Sequence, residues 1–279
     1  MRIPGTKILF ILSALCAGMM ILFSGCNPVN RLARSKNVED REKAARILME
    51  KKEYEKASYL LEELIGLYRG TTKAEDILFL YSECKYELKD YLTSSFYYGE
   101  FISQFPNSGR AEEAQFRFAY CFYKDSDPWY LDQTSTRKAI EYFQYYLKTH
   151  SQSARIEEVE KLMRELRERL AQKAFEQANL YHKIGYHKAA VECFRQVFDE
   201  YPDTKYREEA QFKQFKSSIL YANMSVEERQ KTRYLEGVAY YNKFLDRYPK
   251  SSYAREAEDL FGKANSFLQK EYLSPSLQP

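Results

Sequence analysis

Residues 190–202 read Ala-Val-Glu-Cys-Phe-Arg-Gln-Val-Phe-Asp-Glu-Tyr-Pro. Ala190, Phe194, Val197, Phe198 and Tyr201 fall at offsets 0, 4, 7, 8 and 11, and Pro202 follows at 12. Those offsets line one face of an α-helix, and the small first residue admits a neighbouring helix. Proline lacks the N–H and fixes φ, so it predicts a stop. The phrase recurs as Ser94-Tyr98-Phe101-Ile102-Phe105-Pro106 and Gly237-Tyr241-Phe244-Leu245-Tyr248-Pro249. Ala57-Leu61-Leu64-Ile65-Tyr68 and Ala139-Phe143-Tyr146-Leu147-His150 keep the stripe without the proline. One helical phrase repeated along a chain predicts a helical-repeat solenoid, an architecture commonly used for binding.

Composition agrees with an all-α chain. Of 279 residues 44% are apolar and 30% charged, with only ten glycines and eight prolines, and no period-two alternation argues for sheet. The 25 tyrosines suit half-wet surfaces, because the ring can be buried while the hydroxyl stays hydrated. Formal charge is +3 with acids and bases interleaved, so there is no basic stripe and nucleic acid is not expected as a partner.

Arg2 and Lys7 precede the uncharged run Ile8 to Phe23, followed by Ser24-Gly25-Cys26. A basic start, an apolar core and small residues before a cut describe a secretory signal, and the run is shorter than the ~20 residues of a membrane span. Phe-Ser-Gly-Cys resembles the bacterial lipoprotein box, with Phe23 where leucine is usual. That resemblance implies a signal peptide over 1–25, acylation of Cys26 and a tether over 26–38; more than one acyl chain is needed for stable anchoring. Asn27 is not the aspartate of inner-membrane retention, which favours the outer membrane. Cys84, Cys121 and Cys193 remain, an odd set without CxxC spacing, and read as buried small apolar residues of helices.

A first helix precedes each phrase, with small residues facing the aromatics of the second. Ala114 and Ala119 do so before the third phrase, and Ala174 and Ala178 before the fourth. This resembles the tetratricopeptide pattern, whose unit is ~34 residues. Five helix pairs and a closing helix over 252–272 are predicted. The long turn 124–137 and a long first helix over 155–183 account for spacings above 34. Ser225 with Glu228 reads as a capping box, and Gly237 as a departure from the alanine of the repeat that loosens the fifth unit. Ser108, Thr204 and Ser251, just past the prolines, read as caps for the following helices.

The acylated start, the irregular units, the strings Phe105-Pro106-Asn107-Ser108, Arg169-Leu170-Ala171 and Tyr201-Pro202-Asp203-Thr204, and the Asp132-Gln133-Thr134 turn are similar to the BamD family, also called YfiO or ComL. The resemblance implies an outer-membrane lipoprotein facing the periplasm within the β-barrel assembly machinery. Units over 39–150 would receive unfolded outer-membrane β-barrel proteins, and 151–279 would hold the POTRA domains of BamA, alongside other assembly-machine lipoproteins. The face adjacent to the core stripe places Phe79, Glu83 and Tyr86 in unit two and Phe116, Tyr120 and Tyr123 in unit three. The five rings form either a groove for an aromatic-ended peptide or packing against neighbouring helices. Lys188 and Arg195 are candidates for ion pairs with an acidic partner, and Trp129 either pins the long turn or serves as an interface residue.

Catalysis is not expected. His150, His182 and His187 are the only histidines, and the last two are five apart, without the i,i+4 spacing of a helical metal pair. No phosphate loop or nucleophile elbow occurs, so neither metal nor cofactor is expected. The alternative is a tetratricopeptide lipoprotein serving as pilotin or envelope-maintenance adaptor for a secretin, a pilus or the Tol system.

Overall fold

The computed structural model describes residues 28–273, with side chains to Lys270. The expected signal peptide, 1–25, and the expected acylation site, Cys26, lie outside the described residues. Twelve α-helices and no strand occur among the described residues. They are α1 Pro28–Ala33, α2 Val38–Glu50, α3 Tyr54–Tyr68, α4 Ala74–Glu87, α5 Tyr91–Gln104, α6 Ala111–Lys124, α7 Thr134–Thr149, α8 Ile156–Lys183, α9 His187–Glu200, α10 Arg207–Asn223, α11 Glu227–Arg247 and α12 Ala254–Leu273. The five phrases are α3, α5, α7, α9 and α11, the second helices of tetratricopeptide-type pairs.

The described residues form two compact units that divide between 125 and 126, and α7 falls in the second. Where the tether 26–38 is expected, the described residues are ordered. From Pro28 the chain is helical, and Val29 is buried in a cluster with Ala44, Leu48 and Leu61. An apolar residue within reach of an open core gains more from burial than a polar linker gains from staying hydrated.

Phrase offsets 0, 4 and 7 are the core. Ala57, Leu61 and Leu64, then Ala139, Phe143 and Tyr146, then Ala190, Phe194 and Val197 are all 0% exposed. Offset 8 is half-buried in all five copies. Opposite the aromatics stand Ala44, Ala114, Ala119, Ala178 and Ala210, each fully buried, so small residues on the first helix set the approach distance.

Within each unit, first helices lie side by side and parallel. Within unit 1, Arg46 of α2 bonds Asp76 of α4, and Arg110, just before α6, bonds the same Asp76 at 2.9 Å, separations of 30 and 34 residues. Within unit 2, Asn179–Lys213 and His182–Ser217 link α8 to α10 at separations of 34 and 35, while Ser251–Glu208 ties the start of α12 to α10 at 43. Contacts that advance together on both helices require the same direction of travel.

The turns within pairs at Lys52, Lys89 and Gly185 are left-handed, with φ of 59°, 61° and 84°. In each, the next N–H reaches back to a carbonyl five residues earlier (Glu53→Leu48, Asp90→Lys85, Tyr186→Tyr181), the Schellman closure. Glycine adopts this conformation freely; each lysine carries a strain of about 1–2 kcal/mol.

The three phrase helices followed by proline stop just before it, as expected, and a fourth stops in the same way without one. Phe105, Tyr201 and Tyr248 end their helices at φ near −128° and ψ near 60°, and His150 does the same at −123° and 55° with Ser151 after it. Pro suits the conformation but does not create it. Ser108, Thr204 and Ser251 do accept from the N–H two residues on (3.0, 3.3 and 3.1 Å). Each hydroxyl also donates to an acid of the preceding first helix: Glu75 at 2.6 Å, Glu168 at 2.9 Å, Glu208 at 2.6 Å. One side chain therefore caps its own helix and joins it to the neighbouring one.

Two expectations fail in the fifth pair. Ser225 caps nothing; its hydroxyl donates to the Tyr221 carbonyl at 2.5 Å, and α11 starts after an extended Val226 with no side-chain cap. Gly237 sits against a close neighbour rather than loosening the unit. A Cβ there would sit 2.6 Å from Cδ1 of Ile219 and 3.1 Å from Oγ of Ser218, and Ile219 is packed among Phe215, Tyr241 and Phe244. Gly237→Ala gains about 1 kcal/mol of helix propensity and loses about 1–3 kcal/mol to overpacking. A net destabilisation is expected, and Ile219→Val, costly alone, should be neutral or favourable in that background. Urea titration of the four-member cycle reads this coupling; additive effects would refute the close contact.

Candidate functional site

The sequence-predicted rings of unit 1 divide into two kinds. Phe79 and Phe116 are 6% and 3% exposed. Phe79 is enclosed by Tyr98 (5.7 Å, edge-on), Phe101 (5.2 Å) and the Arg110 guanidinium 4.9 Å above its ring. Of the two readings of the five rings, packing fits Phe79 and Phe116: both lack a hydroxyl to keep wet and both are buried. Tyr86, Tyr120 and Tyr123 are half-buried. Their rings form a stack from α4 to α6: Tyr86–Tyr120 at 6.2 Å, Tyr120–Tyr123 at 5.3 Å with 16° between planes, and Phe116 beneath Tyr120 at 5.4 Å and 18°.

Helix periodicity builds this stack. Residues 116, 120 and 123 advance by four and three along α6, so their rings lie one above another. Tyr86 comes from the parallel helix α4, 34 residues earlier. The Arg117 guanidinium lies 5.4 Å over Tyr86 and takes Glu113 at 2.8 Å. Burial pushes the Tyr86 phenol up to about 12, with the Tyr120 phenol adding to it. Tyr86 therefore stays uncharged at neutral pH, and the ladder presents aromatic faces.

In unit 2, Arg195 is exposed but paired within α9 with Glu192 and, at 2.5 Å, with Asp199. An external acid would compete with both. Lys188 is exposed and forms no ion pair among the described residues. What the sequence reading missed is apolar: Leu180, Ile184 and Tyr186 at the α8–α9 turn, and Met224 and Val226 at the α10–α11 turn, are each more than half exposed. Since α8 and α10 run parallel, these turns share one edge. Breaks in helical periodicity hid them, because a turn carries no stripe.

Trp129 pairs edge-on with Tyr130 at 5.6 Å and stands over a shallow depression formed with Glu165, Glu168 and Arg169. The turn itself is held by other residues. Arg169 donates to the Ser126 carbonyl at 2.8 Å and the Asp127 carbonyl at 3.2 Å. Buried Gln133 fills the turn from within. A groove of about 640 Å³ lies where α8 meets Tyr201–Thr204, but Glu168 and Arg169 on its wall are engaged with Thr204 and the long turn.

Burial holds His182 and His187 below the ordinary imidazole value; their rings lie 5.6 Å apart, and His182 Nδ1 meets Ser217 Oγ at 2.8 Å. No group of three or more His, Cys, Asp or Glu is placed to hold a metal among the described residues. Cys84 and Cys121 are buried thiols, each pushed up to about 11 by burial. No helix among the described residues is long and apolar enough to cross a membrane.

Parallel first helices, aromatic phrase helices behind them and a stacked tyrosine surface define a tetratricopeptide-type scaffold, a class that acts through protein–protein contact. The chain belongs to the YfiO family of outer membrane lipoproteins, whose family model matches residues 41–234. No curated protein matches it. Among solved structures, the TPR2AB-domain:pHSP90 complex of yeast Sti1 is similar at 17% identity and a TM-score of 0.39, over 82% of this chain and 98% of its own. TPR-like repeats of a Podosopora anserina kinesin light chain are similar at 12% identity and 0.34, over 74% and 95%.

Proposed function

We propose that this chain is a lipid-anchored scaffold facing the periplasm, part of the outer-membrane β-barrel assembly machinery, and not an enzyme. It is tethered through Cys26, binds the POTRA domains of BamA and other assembly-machine lipoproteins through unit 2, and receives unfolded outer-membrane proteins on unit 1. Family membership carries the assignment to the machinery. The half-open stack of Tyr86, Tyr120 and Tyr123 supports reception of a chain end that presents an aromatic ring, worth about 0.5–1.5 kcal/mol per ring pair beyond area burial. The exposed apolar edge of unit 2, with Lys188 beside it, supports docking of a folded partner there.

Mild cross-linking of the full chain followed by co-purification tests the assignment: BamA is the expected partner, and a secretin or a Tol component instead would favour the pilotin or envelope-adaptor role. For the receiving face, replacing Tyr120 and Tyr123 together by serine should weaken binding of an aromatic-ended peptide about tenfold or more, with helicity intact. Unchanged affinity would remove the receiving face.

A further inference from the structure

Acids in unit 1 that are not fully exposed have partners, with one exception. Glu42 takes Lys73 at 2.8 Å, the Tyr68 hydroxyl at 2.8 Å and Arg46 at 3.0 Å. Glu75 takes Ser108, Asp76 lies between Arg46 and Arg110, and Glu113 takes Arg117. Glu83 of α4, one turn from both Phe79 and Tyr86, is half-buried and has no hydrogen bond or ion pair among the described residues. The base it feels most, Arg117, is spent on Glu113. Burial pushes its carboxyl up; Glu113 and Glu87 add to this, and Arg117 and Arg110 oppose it. The fully buried Tyr98 hydroxyl, which feels both Glu83 and Arg117, is also without a partner.

A half-buried carboxylate without a partner destabilises the fold, and such groups concentrate where something binds. Its surroundings select the chemistry. A single carboxylate cannot hold a metal ion in the absence of a ligand cluster, and it repels anions. The rings one turn away, Phe79 and Tyr86, already carry the Arg110 and Arg117 guanidiniums, so the faces left to attract an incoming organic cation through the ring quadrupole are those of Tyr120 and Tyr123. We infer that Glu83 is a cation-accepting subsite of the tyrosine face, taking the lysine or arginine side chain of an extended polypeptide whose aromatic residue lies on the Tyr120–Tyr123 stack. This rests on the proposal that unit 1 receives polypeptide. It adds a charge requirement: bound segments carry a basic residue near the aromatic one.

Fluorescence anisotropy on the full chain separates the two ideas, using two peptides that end in phenylalanine and differ by one Lys→Met exchange. The wild type should bind the lysine peptide about tenfold more tightly, as expected for a partly desolvated charge pair. Glu83→Gln should abolish the preference while leaving the methionine peptide's affinity and the circular-dichroism spectrum unchanged. Glu83→Lys should reverse it, favouring a glutamate peptide over the lysine one. Equal binding of the two peptides by wild type, or a preference that survives Glu83→Gln, overturns the subsite and leaves the receiving face standing. If wild type binds neither peptide, the receiving face itself is wrong and the subsite falls with it.

Discussion

Truncating Phe194 to alanine should lower stability by about 3–5 kcal/mol, the usual cost of removing a fully buried aromatic ring. The ring is 0% exposed at offset 4 of its phrase and packs with Phe175 at 6.0 Å, Ala178, Val197 and Ala210. Both neighbouring first helices, α8 and α10, lean on it, so neither can collapse into the space without leaving the other. Phe198 at offset 8 is only half-buried and should cost markedly less when truncated. Repeats touch mainly their sequence neighbours, so protection against hydrogen exchange should fall in α8–α10 and hold in unit 1. Urea titration reads the size of the effect. A loss below about 1.5 kcal/mol would show that the stripe is not the core.

Gln133→Ala should cost about 2–4 kcal/mol, more than its place in a surface turn suggests. Its amide nitrogen lies within hydrogen-bond reach of the carbonyls of Pro128 (2.8 Å), Asp132 (3.0 Å), Leu131 (3.2 Å) and Asp127 (3.4 Å), and its two N–H groups donate among them. Its oxygen accepts from the Thr136 hydroxyl at 2.8 Å, and the side chain is 3% exposed. Removing it takes two donors from the carbonyls of a turn with no helix of its own. Gln133→Glu should be nearly as damaging, because a carboxylate has no N–H to offer. Calorimetry together with exchange rates over 125–133 measures this. A glutamate variant as stable as wild type would mean that shape, not donation, holds the turn.

Much of the fold can be read from the chain because helices obey a period of 3.6. Every core offset of the five phrases follows from spacing alone, and so does the long helix α8. Gly237 misleads a reader of the sequence, since its need arises from Ile219 on another helix. Ser225 misleads in the same way: a competing local bond to Tyr221 takes the hydroxyl meant for a cap. The string Asp132-Gln133-Thr134 is conspicuous in the sequence, yet its function as a hub appears only once the turn closes around it. The candidate site was half legible. Aromatic side chains on the inner face could be named, but which of them stay open depends on Arg110, Tyr98 and Phe101 arriving from elsewhere.

Local pattern by itself established an all-α chain of repeated helix pairs, the helix faces that are buried and the family resemblance, because periodicity and turn chemistry are properties of neighbours in the chain. It could not establish where the compact units divide, which inner rings remain accessible, or that Glu83 is left without a partner. Those depend on contacts between residues about 34 positions apart on parallel helices, and such pairings exist only after the helices have stacked.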